Sequence, residues 1–492
     1  MLIRFCSAQR RYFQAVTNDK NNNKMKSITL ELTNVYAKGD FTATVYLGSE
    51  QNPVNLIIDT GSSTLVVEPN NYQPVQDKKL VATPIVQEVN YGLGGWAGAL
   101  VHSQLCFTSS EAKASKTKTN NHSSLGNQKT SKALVCNTSI AVVEAEPTKT
   151  FGDADGILGL AYHHLNKSFD LTEFYNKKQI SPALSLPWPF SIGDKTSATQ
   201  SADKKTSSKQ SLTDNSTQFE SLKAFKAFLW QQPEHDIRPL FTQIADQHLV
   251  DNRFSFYAKR SSVHVAIENI SAVSPTAKQI EELVADPLNQ GRLILGGSEA
   301  QTEFYNGAFK TIKVFHDVYY NVKLHSVQVG NNTPILAEPL APKDEKSYFT
   351  NAIIDAGASL TILPQGLFQQ VTEQLNEMNP KFAKLLAPFA EIKQQYLGVD
   401  ANQLELTQWP DLTFRFIGEN DKSSELEALV CPPSHYWQIN TPENDKACFK
   451  LLSQLPNWPN QSIIGLPLIT NYYTVFDRSV NGTGVIRFAK QS

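Results

Sequence analysis

Two short stretches decide the fold of this sequence: Leu56-Ile57-Ile58-Asp59-Thr60-Gly61-Ser62-Ser63 and Asn351-Ala352-Ile353-Ile354-Asp355-Ala356-Gly357-Ala358-Ser359-Leu360. Each is an apolar run that ends in Asp and continues with a small residue, Gly and further small residues. This pattern predicts a buried strand that delivers a carboxylate into a sharp turn, where Gly gives the backbone its freedom. Because one copy lies in each half of the chain, the pair predicts a duplicated fold that brings two carboxylates together.

Two carboxylates that share one site can act together as an acid and a base. Because like charges at a few ångströms repel, one pKa rises while the other stays low, and the pair holds a single proton over a wide pH range. The ionised carboxylate can then take a proton from water while the protonated one polarises a carbonyl oxygen. This chemistry is amide hydrolysis without a metal or a covalent intermediate. In the alternative interpretation, each Asp simply caps a turn or a helix N-terminus.

Several motifs in the chain resemble those of one family. Asp59-Thr60-Gly61-Ser62-Ser63 resembles the active-site motif of pepsin-like aspartic proteases, and Asp355-Ala356-Gly357-Ala358-Ser359 resembles its second-lobe copy. Asp155-Gly156-Ile157-Leu158-Gly159-Leu160 and Asn471-Tyr472-Tyr473-Thr474-Val475-Phe476-Asp477 are similar to two further strands of that family. The resemblance implies a mostly β, bilobal acid protease fold, with a cleft between two similar β lobes and with Asp59 and Asp355 as catalytic residues.

The resemblance also implies roles for residues beside the first Asp. Thr60 corresponds to the residue whose hydroxyl braces one catalytic loop against the other. Ser62 corresponds to the residue that hydrogen-bonds the outer oxygen of Asp59, a bond that favours the ionised form of this carboxyl. Gly61 and Gly357 correspond to residues that border the bound substrate.

The second motif departs from the pattern, because Ala356 and Ala358 stand where many relatives carry Thr or Ser. Without a hydroxyl at Ala358, the ionised form of Asp355 loses a hydrogen bond, so we expect Asp355 to keep its proton to higher pH. Without a hydroxyl at Ala356, one brace between the loops is lost, at a cost of about 1 kcal/mol. We therefore predict that Asp59 is the charged base and Asp355 the protonated acid of a pair that shares its proton.

Between the two Asp motifs, residues 89–98 predict a β-hairpin with a Gly-rich tip. In the resembling family this hairpin is the flap that covers an extended peptide substrate. Tyr91 matches the flap tyrosine, and Gly92 and Leu93 follow it as backbone donors. The alternative is an ordinary exposed hairpin with a surface tyrosine.

The chain has 492 residues, too many for one core of typical size. We predict an N-terminal extension over residues 1–25 without fixed structure, an N-terminal lobe over 26–310 and a C-terminal lobe over 311–492. Residues 108–132 and 191–218 are rich in Ser, Thr, Lys and Asn and are interpreted as polar insertions.

Composition limits the partners of the protein. A formal net charge of −2 gives no indication of nucleic-acid or anionic-membrane binding, and no apolar run is long enough to span a bilayer. Asp153 and Asp155 are not followed by further oxygen ligands, so we predict no metal site. We also predict no cofactor.

The first residues contain no apolar segment of the length that a secretory signal needs, and Met25 is an alternative start to Met1. We predict a cytoplasmic location, with a periplasmic or secreted one left open. No segment resembles the propeptide of pepsin-like zymogens. In this respect the chain resembles the bacterial pepsin homologues that lack a prosegment, so we expect a monomer made directly in its active form.

The cysteines allow two interpretations. Cys106 and Cys136 lie in strand-like runs that flank a polar insertion and could be neighbours, and Cys431 and Cys448 stand where pepsin-like enzymes often have a second-lobe disulfide. Two disulfides, Cys106–Cys136 and Cys431–Cys448, are therefore one expectation. Free, buried thiols are the other, as in a reducing compartment.

Apolar spacing after Pro364 predicts a helix over residues 366–386, with Phe368, Val371, Leu375 and Met378 on one side.

Taken together, these patterns predict an aspartic endopeptidase that acts on peptides or unfolded proteins and binds pepstatin-type inhibitors. The alternative is a pepsin-fold protein that binds peptides or proteins but cleaves them weakly or not at all, a hypothesis motivated by Ala356 and Ala358. Cleavage-site preference and natural substrate have no signature in the sequence.

Overall fold

The computed structural model of the protein describes residues 27–69, 71–91, 94–108, 133–146, 151–162, 165, 167–193, 217–421 and 425–492. The predicted extension over residues 1–25, and most of the two predicted polar insertions, lie outside the described residues.

Strands make up most of the regular structure. Those of the first part of the chain are β1 (Ile28–Ala37), β2 (Asp40–Leu47), β3 (Asn52–Asp59), β4 (Leu65–Val67), β5 (Val81–Tyr91), β6 (Gly94–Thr108), β7 (Ala133–Ala145), β8 (Gly156–Gly159), β9 (Ser168–Asp170), β10 (Phe190–Ile192), β11 (Thr217–Phe219), β12 (Arg253–Ala258) and β13 (Gln290–Leu295). Those that follow are β14 (Tyr305–Lys313), β15 (Asn321–Val322), β16 (Leu324–Val329), β17 (Ile335–Leu336), β18 (Ala352–Ile354), β19 (Thr361–Leu363), β20 (Val399–Asp400), β21 (Leu412–Ile417), β22 (Leu426–Cys431), β23 (Trp437–Ile439), β24 (Lys446–Phe449), β25 (Leu451–Ser453), β26 (Ser462–Ile464), β27 (Tyr472–Asp477) and β28 (Val485–Gln491).

Helices in the described residues are short and lie between the strands. They are α1 (Thr172–Lys177), α2 (Leu222–Leu229), α3 (Leu240–Asp246), α4 (Ala277–Ala285), α5 (Glu345–Tyr348), α6 (Gln365–Met378), α7 (Pro380–Leu386), α8 (Pro433–Tyr436) and α9 (Leu466–Ile469). None of them is long and apolar enough to cross a membrane.

One large sheet joins the two halves of the chain. Its fourteen strands run in the order β14-β28-β27-β12-β13-β1-β2-β3-β8-β4-β7-β6-β5-β9. The strands β27 and β28 enter it between β12 and β14, so residues near the end of the numbering pair with strands much earlier in the chain. The predicted lobe boundary at residue 311 falls inside β14, and the division into two lobes at that residue stays a prediction.

The same strand arrangement occurs twice around the two Asp motifs. In the first, β3 is parallel to β8, which is antiparallel to β4, and β4 is parallel to β7. In the second, β18 is parallel to β26, which is antiparallel to β19, and β19 is parallel to β25. The predicted mostly β, bilobal fold is therefore confirmed, and its internal duplication centres on Asp59 and Asp355.

Buried aliphatic and aromatic side chains hold these sheets together. The apolar residues that precede each Asp, Leu56, Ile58, Ala352 and Ile354, are fully buried in the largest core cluster. Because both faces of these strands are covered, the sequence is a continuous apolar run rather than an alternating one. This packing fixes the ends of the strands, and with them the positions of the carboxylates.

The single helix predicted over residues 366–386 is two helices in the structure. Helix α6 ends at Met378 and α7 begins at Pro380, with the Asn379 side chain accepting a hydrogen bond from the Lys381 N–H. Pro cannot continue a helix because it lacks an N–H, but it fits the first turn of a new one. Val371 is buried as predicted.

Both predicted disulfides are wrong: Cys106, Cys136, Cys431 and Cys448 are all free and buried. Cys106 lies opposite Val135 in the β6–β7 pair. Because alternate residues of a strand point to opposite faces, Cys106 and Cys136 point to opposite sides of the sheet.

Cys431 and Cys448, the second predicted pair, lie in different surroundings. The Cys431 Sγ donates to the Pro467 carbonyl at 3.3 Å, and the Cys448 Sγ donates to the Gln395 carbonyl at 3.3 Å. The two thiols belong to strands of different sheets, so each has its own carbonyl partner.

Candidate active site

Asp59 is the last residue of β3, and the neighbouring strand β8 places Gly159 beside it. The Asp59 carbonyl accepts a hydrogen bond from the Leu160 N–H at 2.7 Å. A methyl group on Gly159 would lie 2.5 Å from the Thr64 nitrogen and 2.6 Å from the Ser62 carbonyl oxygen. The first loop therefore passes close over Gly159, and only Gly fits there.

Asp355 follows β18 in the equivalent position. Its N–H donates to the Ile464 carbonyl at 3.0 Å, which continues the pairing of β18 with β26. A methyl group on Gly465 would overlap the carbonyl oxygens of Leu360 and Ala358. The second loop therefore passes over Gly465 as the first passes over Gly159.

The two loops meet face to face. The Gly61 N–H donates to Asp59 Oδ1 at 2.7 Å, and the Gly357 N–H donates to Asp355 Oδ1 at 2.9 Å. A methyl group on Gly61 would lie 2.6 Å from Asp355 Oδ2, and one on Gly357 would lie 2.5 Å from Asp59 Oδ1. The structure thus places each carboxylate against the glycine of the opposite motif.

A hydroxyl group ties the two loops together from one side. Thr60 Oγ1 donates to the Ile354 carbonyl at 3.1 Å and accepts from the Ala356 N–H at 2.8 Å. All three atoms are buried, and Ala356 offers no hydroxyl for a bond in the opposite direction. The brace predicted for Thr60 is present, and its symmetric counterpart is missing.

Burial raises the pKa of Asp59. This rise is opposed by the Ser62 hydroxyl, by the Gly61 N–H and by a hydrogen bond from the Asp355 carboxyl. The Ser62 Oγ is buried and has no hydrogen-bond partner of standard geometry among the described residues, so the bond predicted from Ser62 to Asp59 stays a prediction. These groups favour the ionised form of Asp59.

Burial also raises the pKa of Asp355, and it does so well beyond the usual range of a carboxyl group. The charge of Asp59 raises it further, as do the hydrogen bond to Asp59 and the charge of Asp40, whereas the Gly357 N–H lowers it. No hydroxyl acts on Asp355 as Ser62 acts on Asp59, because Ala358 has none. The prediction that the pair holds its proton on Asp355 agrees with these directions.

The predicted hairpin over residues 89–98 is confirmed. Strands β5 and β6 are antiparallel, and Tyr91 pairs with Gly94 at the tip. Gly92 and Leu93 lie outside the described residues, as does the side chain of Tyr91.

Three residues near the pair were not predicted as site residues. Burial and the charges of Asp355, Tyr348 and Asp59 raise the pKa of Tyr319 to about 12. The other two residues are Asp40 and Lys450. Both come from turns or strand junctions with ordinary local sequence, and no short motif marks them.

Within the described part of the chain, no group of three or more His, Cys, Asp or Glu side chains is placed to hold a metal ion.

Comparison with known proteins adds a separate observation. Residues 283–490 match the family model of eukaryotic aspartyl proteases. The matched stretch contains Asp355 and the strands β26 to β28. With the duplicated strand arrangement around Asp59 and Asp355, this match identifies the bilobal pepsin-like fold.

The chain is also similar to individual animal proteins. It is 23% identical over 261 residues to the protein named beta-secretase of Strongylocentrotus purpuratus, covering 52% of this chain and 45% of the relative. It is 24% identical over 260 residues to mouse cathepsin D, covering 51% and 48%, and 25% identical over 170 residues to chicken pepsin A, covering 34% and 36%. The chain thus spans about half the length, or less, of the curated relatives it matches. These similarities support a pepsin-like aspartic protease.

Proposed function

We propose that this protein is an aspartic endopeptidase that hydrolyses peptide bonds with a water molecule activated between Asp59 and Asp355. The observation that carries the proposal is the arrangement of the two carboxylates. Each accepts the N–H of the glycine in its own motif while lying against the glycine of the other motif.

In the proposed mechanism one carboxyl group acts as the base and the other as the acid. The ionised Asp59 accepts a proton from the attacking water, and Asp355 donates its proton to the carbonyl oxygen of the scissile bond. Addition of water forms a tetrahedral diol. Asp59 then gives the proton it took from water to the amide nitrogen, the C–N bond breaks, and a hydroxyl of the diol returns a proton to Asp355 as the new carboxyl group forms. The assignment follows the hydroxyl pattern, because Ser62 favours the charged form of Asp59 and Ala358 offers nothing equivalent to Asp355.

The substrate is proposed to be an extended peptide segment, from a peptide or an unfolded protein, lying under the β5–β6 hairpin. Gly61 and Gly357 are proposed to border this segment, and Tyr91, Gly92 and Leu93 are proposed to contact it from above. Main-chain hydrogen bonds hold an extended peptide with little dependence on its side chains. For the same reason we propose that pepstatin-type inhibitors bind in this cleft.

The test is cleavage of a permanently unfolded, fluorescently labelled protein between pH 3 and pH 7, with and without pepstatin. Asp59→Asn and Asp355→Asn keep the shape of each side chain but remove its ionisation, so each is expected to lower kcat at least 1,000-fold. Asp246→Asn is the matched control, because Asp246 is half exposed and pairs with Arg238 on the surface.

Full activity of either Asp→Asn variant would contradict the proposal. A folded wild-type protein that binds pepstatin but cleaves nothing over this pH range would instead support the alternative function, a pepsin-fold protein that binds peptides without cleaving them. The observation that favours this alternative is the missing hydroxyl of Ala356, which leaves the two loops braced from one side.

The finer resemblance to bacterial pepsin homologues without a prosegment stays a prediction, because the relatives named above are animal proteins. The monomeric state and the cytoplasmic location also stay predictions.

A further inference from the structure

A third carboxyl group lies beside the Asp59–Asp355 pair. Asp40 begins β2, directly after a tight turn in which Lys38 and Gly39 have positive φ angles of 55° and 134°. The Gly39 N–H closes the turn on the Asn34 carbonyl at 3.0 Å. The turn therefore fixes the direction in which the Asp40 side chain leaves the backbone.

The turn touches the loop that carries the second motif. A methyl group on Gly39 would lie 3.3 Å from the Ser359 Cβ and 3.2 Å from the Ser261 carbonyl oxygen. Ser359 comes four positions after Asp355, in the same loop. A hairpin from the first half of the chain thus delivers Asp40 to the flank of the second catalytic loop.

The surroundings of Asp40 are unusual for a carboxyl group. Asp40 Oδ1 is buried and has no hydrogen-bond partner among the described residues. Burial and the charge of Asp59 raise the pKa of Asp40 to about 7, while Ser359 and the charge of Lys450 lower it. Its own charge in turn raises the pKa of Asp355.

Lys450 is the cation of this cluster. Its residue is 6% exposed, and its backbone is fixed by hydrogen bonds with the Tyr436 carbonyl at 2.7 Å and the Thr361 N–H at 2.9 Å. Burial lowers the pKa of Lys450, and the charge of Asp40 raises it. The other charged side chain of the turn, Lys38, lies 3.9 Å from Asp153.

We propose that Asp40 is a positioning residue for the proton of the two-aspartate pair: its negative charge opposes ionisation of Asp355 and so keeps the proton there as the pH approaches neutrality. The effect of Asp40 on catalysis rests on the proposed function, but the effect of its charge on the ionisation of Asp355 does not. The charges of the three carboxyl groups of Asp40, Asp59 and Asp355 influence one another, and the buried amine of Lys450 lowers the pKa of Asp40. When one of the three ionises, the others hold their protons more tightly.

This arrangement predicts an asymmetric effect on the pH profile of cleavage. On the acid limb, where Asp59 first ionises, Asp40 is protonated and neutral, so its loss has no effect. On the neutral limb, where Asp355 loses its proton, Asp40 is ionised and its loss makes that step easier. Asp40→Asn is therefore expected to move the neutral limb of kcat/KM by at least 0.5 pH unit towards acid and to leave the acid limb in place.

The matched variant is Asp40→Glu, which keeps the charge and should keep the neutral limb within 0.2 pH unit of the wild type. A residue with only a structural role would lower the rate at every pH and would move neither limb. Equal neutral limbs in Asp40→Asn and wild type would overturn the proposal.

A second measurement separates this inference from the proposed function. Carbon-13 NMR of the aspartate carboxyl groups, assigned with the Asp40→Asn and Asp355→Asn variants, follows protonation whether or not the protein cleaves anything. In the wild type, the resonances of Asp40 and Asp355 should each show two inflections, because the groups titrate as a coupled set.

In Asp40→Asn, the upper inflection of Asp355 should fall by at least 0.5 pH unit. Independent, single-step titration of Asp40 and Asp355 in the wild type would refute the inference even if Asp40→Asn failed to fold. Absence of cleavage by the wild type, together with coupled titration, would refute the proposed function and leave the inference standing.

Discussion

The Lys226 ammonium group lies 3.5 Å from the Glu88 carboxylate, and each of the two side chains is only 8% exposed. The Trp230 Nε1–H donates to Glu88 Oε1 at 2.7 Å, and Lys226 also donates to the Val89 carbonyl at 3.0 Å. These bonds tie helix α2 to the strand that leads into the tip of the β5–β6 hairpin. The buried ion pair therefore anchors one side of the hairpin that is proposed to cover the substrate.

Removing one member of this buried pair should be costly, because the buried charge of the other then loses the opposite charge beside it. Lys226→Met is expected to lower the free energy of unfolding by roughly 3 kcal/mol in urea denaturation. Lys167 and Glu234 offer a matched control, because they are also 3.5 Å apart but are 64% and 67% exposed. Lys167→Met should change stability by less than about 0.5 kcal/mol. Equal effects of the two changes would show that the Lys226–Glu88 pair contributes nothing by being buried.

Gly61 and Gly357 should tolerate no side chain. An alanine at either position puts a methyl group within about 2.6 Å of the opposite carboxylate, so the loops must separate. We expect Gly61→Ala and Gly357→Ala to reduce kcat by at least 100-fold, measured with the labelled unfolded substrate. Gly366→Ala serves for comparison, since a methyl group there has nothing within 4 Å and lies in helix α6. This control should retain full activity and gain a little stability, because Ala favours helix over Gly.

The Thr60 hydroxyl should contribute more to stability than an ordinary surface hydroxyl. Thr60→Val leaves the buried Ala356 N–H and the Ile354 carbonyl without their partner, at an expected cost of about 1–3 kcal/mol in thermal or urea unfolding. Thr44→Val provides the comparison, because Thr44 Oγ1 donates to Asn55 at 2.8 Å on an exposed face. A change there should be within about 0.5 kcal/mol. If both variants unfolded at the same urea concentration, the hydrogen bonds of Thr60 between the two loops would contribute nothing extra to stability.

A hydroxyl at position 358 should shift the pH range in which the protein cleaves its substrate. In Ala358→Ser the new group can stabilise the ionised form of Asp355, as Ser62 does for Asp59, so the pKa of Asp355 should fall. The neutral limb of the cleavage profile is then expected to move towards acid by about 0.5 to 1 pH unit, with the acid limb nearly unchanged. A neutral limb that stayed in place or moved to higher pH would show that the hydroxyl pattern does not determine where the proton resides.

The elevated carboxyl pKa values also predict how stability depends on pH. An Asp in the unfolded chain ionises near pH 4, whereas the pKa of Asp40 in the folded protein is about 7. Between these values the folded state binds more protons than the unfolded state, so the free energy of unfolding falls as the pH rises.

At roughly 1.4 kcal/mol per pKa unit, the loss due to Asp40 approaches about 4 kcal/mol at its upper limit. Urea denaturation at pH 4, 5, 6 and 7 should show this decline in the wild type and a smaller one in Asp40→Asn. Asp246→Asn should follow the wild type. A wild-type protein whose stability rose steadily from pH 4 to pH 7 would contradict the pKa values argued for this cluster.

The centre of the site could be predicted from sequence because its determinants are local. Each carboxylate, its glycine and the hydroxyl or methyl group beside it lie within five consecutive residues at the end of an apolar run. The glycines that let each loop pass, Gly159 and Gly465, also lie in recognisable apolar runs. Backbone geometry at these positions leaves little choice of residue, and the pattern is therefore visible in the chain itself.

The surroundings of the site depend on contacts that no short motif records. Asp40 reaches Ser359 only because a turn in one half of the chain packs against a loop in the other. The pairing expected for Cys106 and Cys136 failed for a similar reason, since a shift of one residue in strand register decides which face a side chain occupies. The helix break before Pro380 could have been predicted, because the proline was visible in the sequence.

The insertion of β27 and β28 between β12 and β14 has a consequence for synthesis of the protein on the ribosome. The hydrogen-bonding edge of β12 is complete once residue 258 has emerged, but its partner comes only with residues 472–477. At typical elongation rates this interval is on the order of ten seconds or more. During that time an unpaired strand edge is exposed to other nascent chains. The order in which the sheet is assembled therefore makes the growing chain, rather than the finished protein, the form most exposed to aggregation.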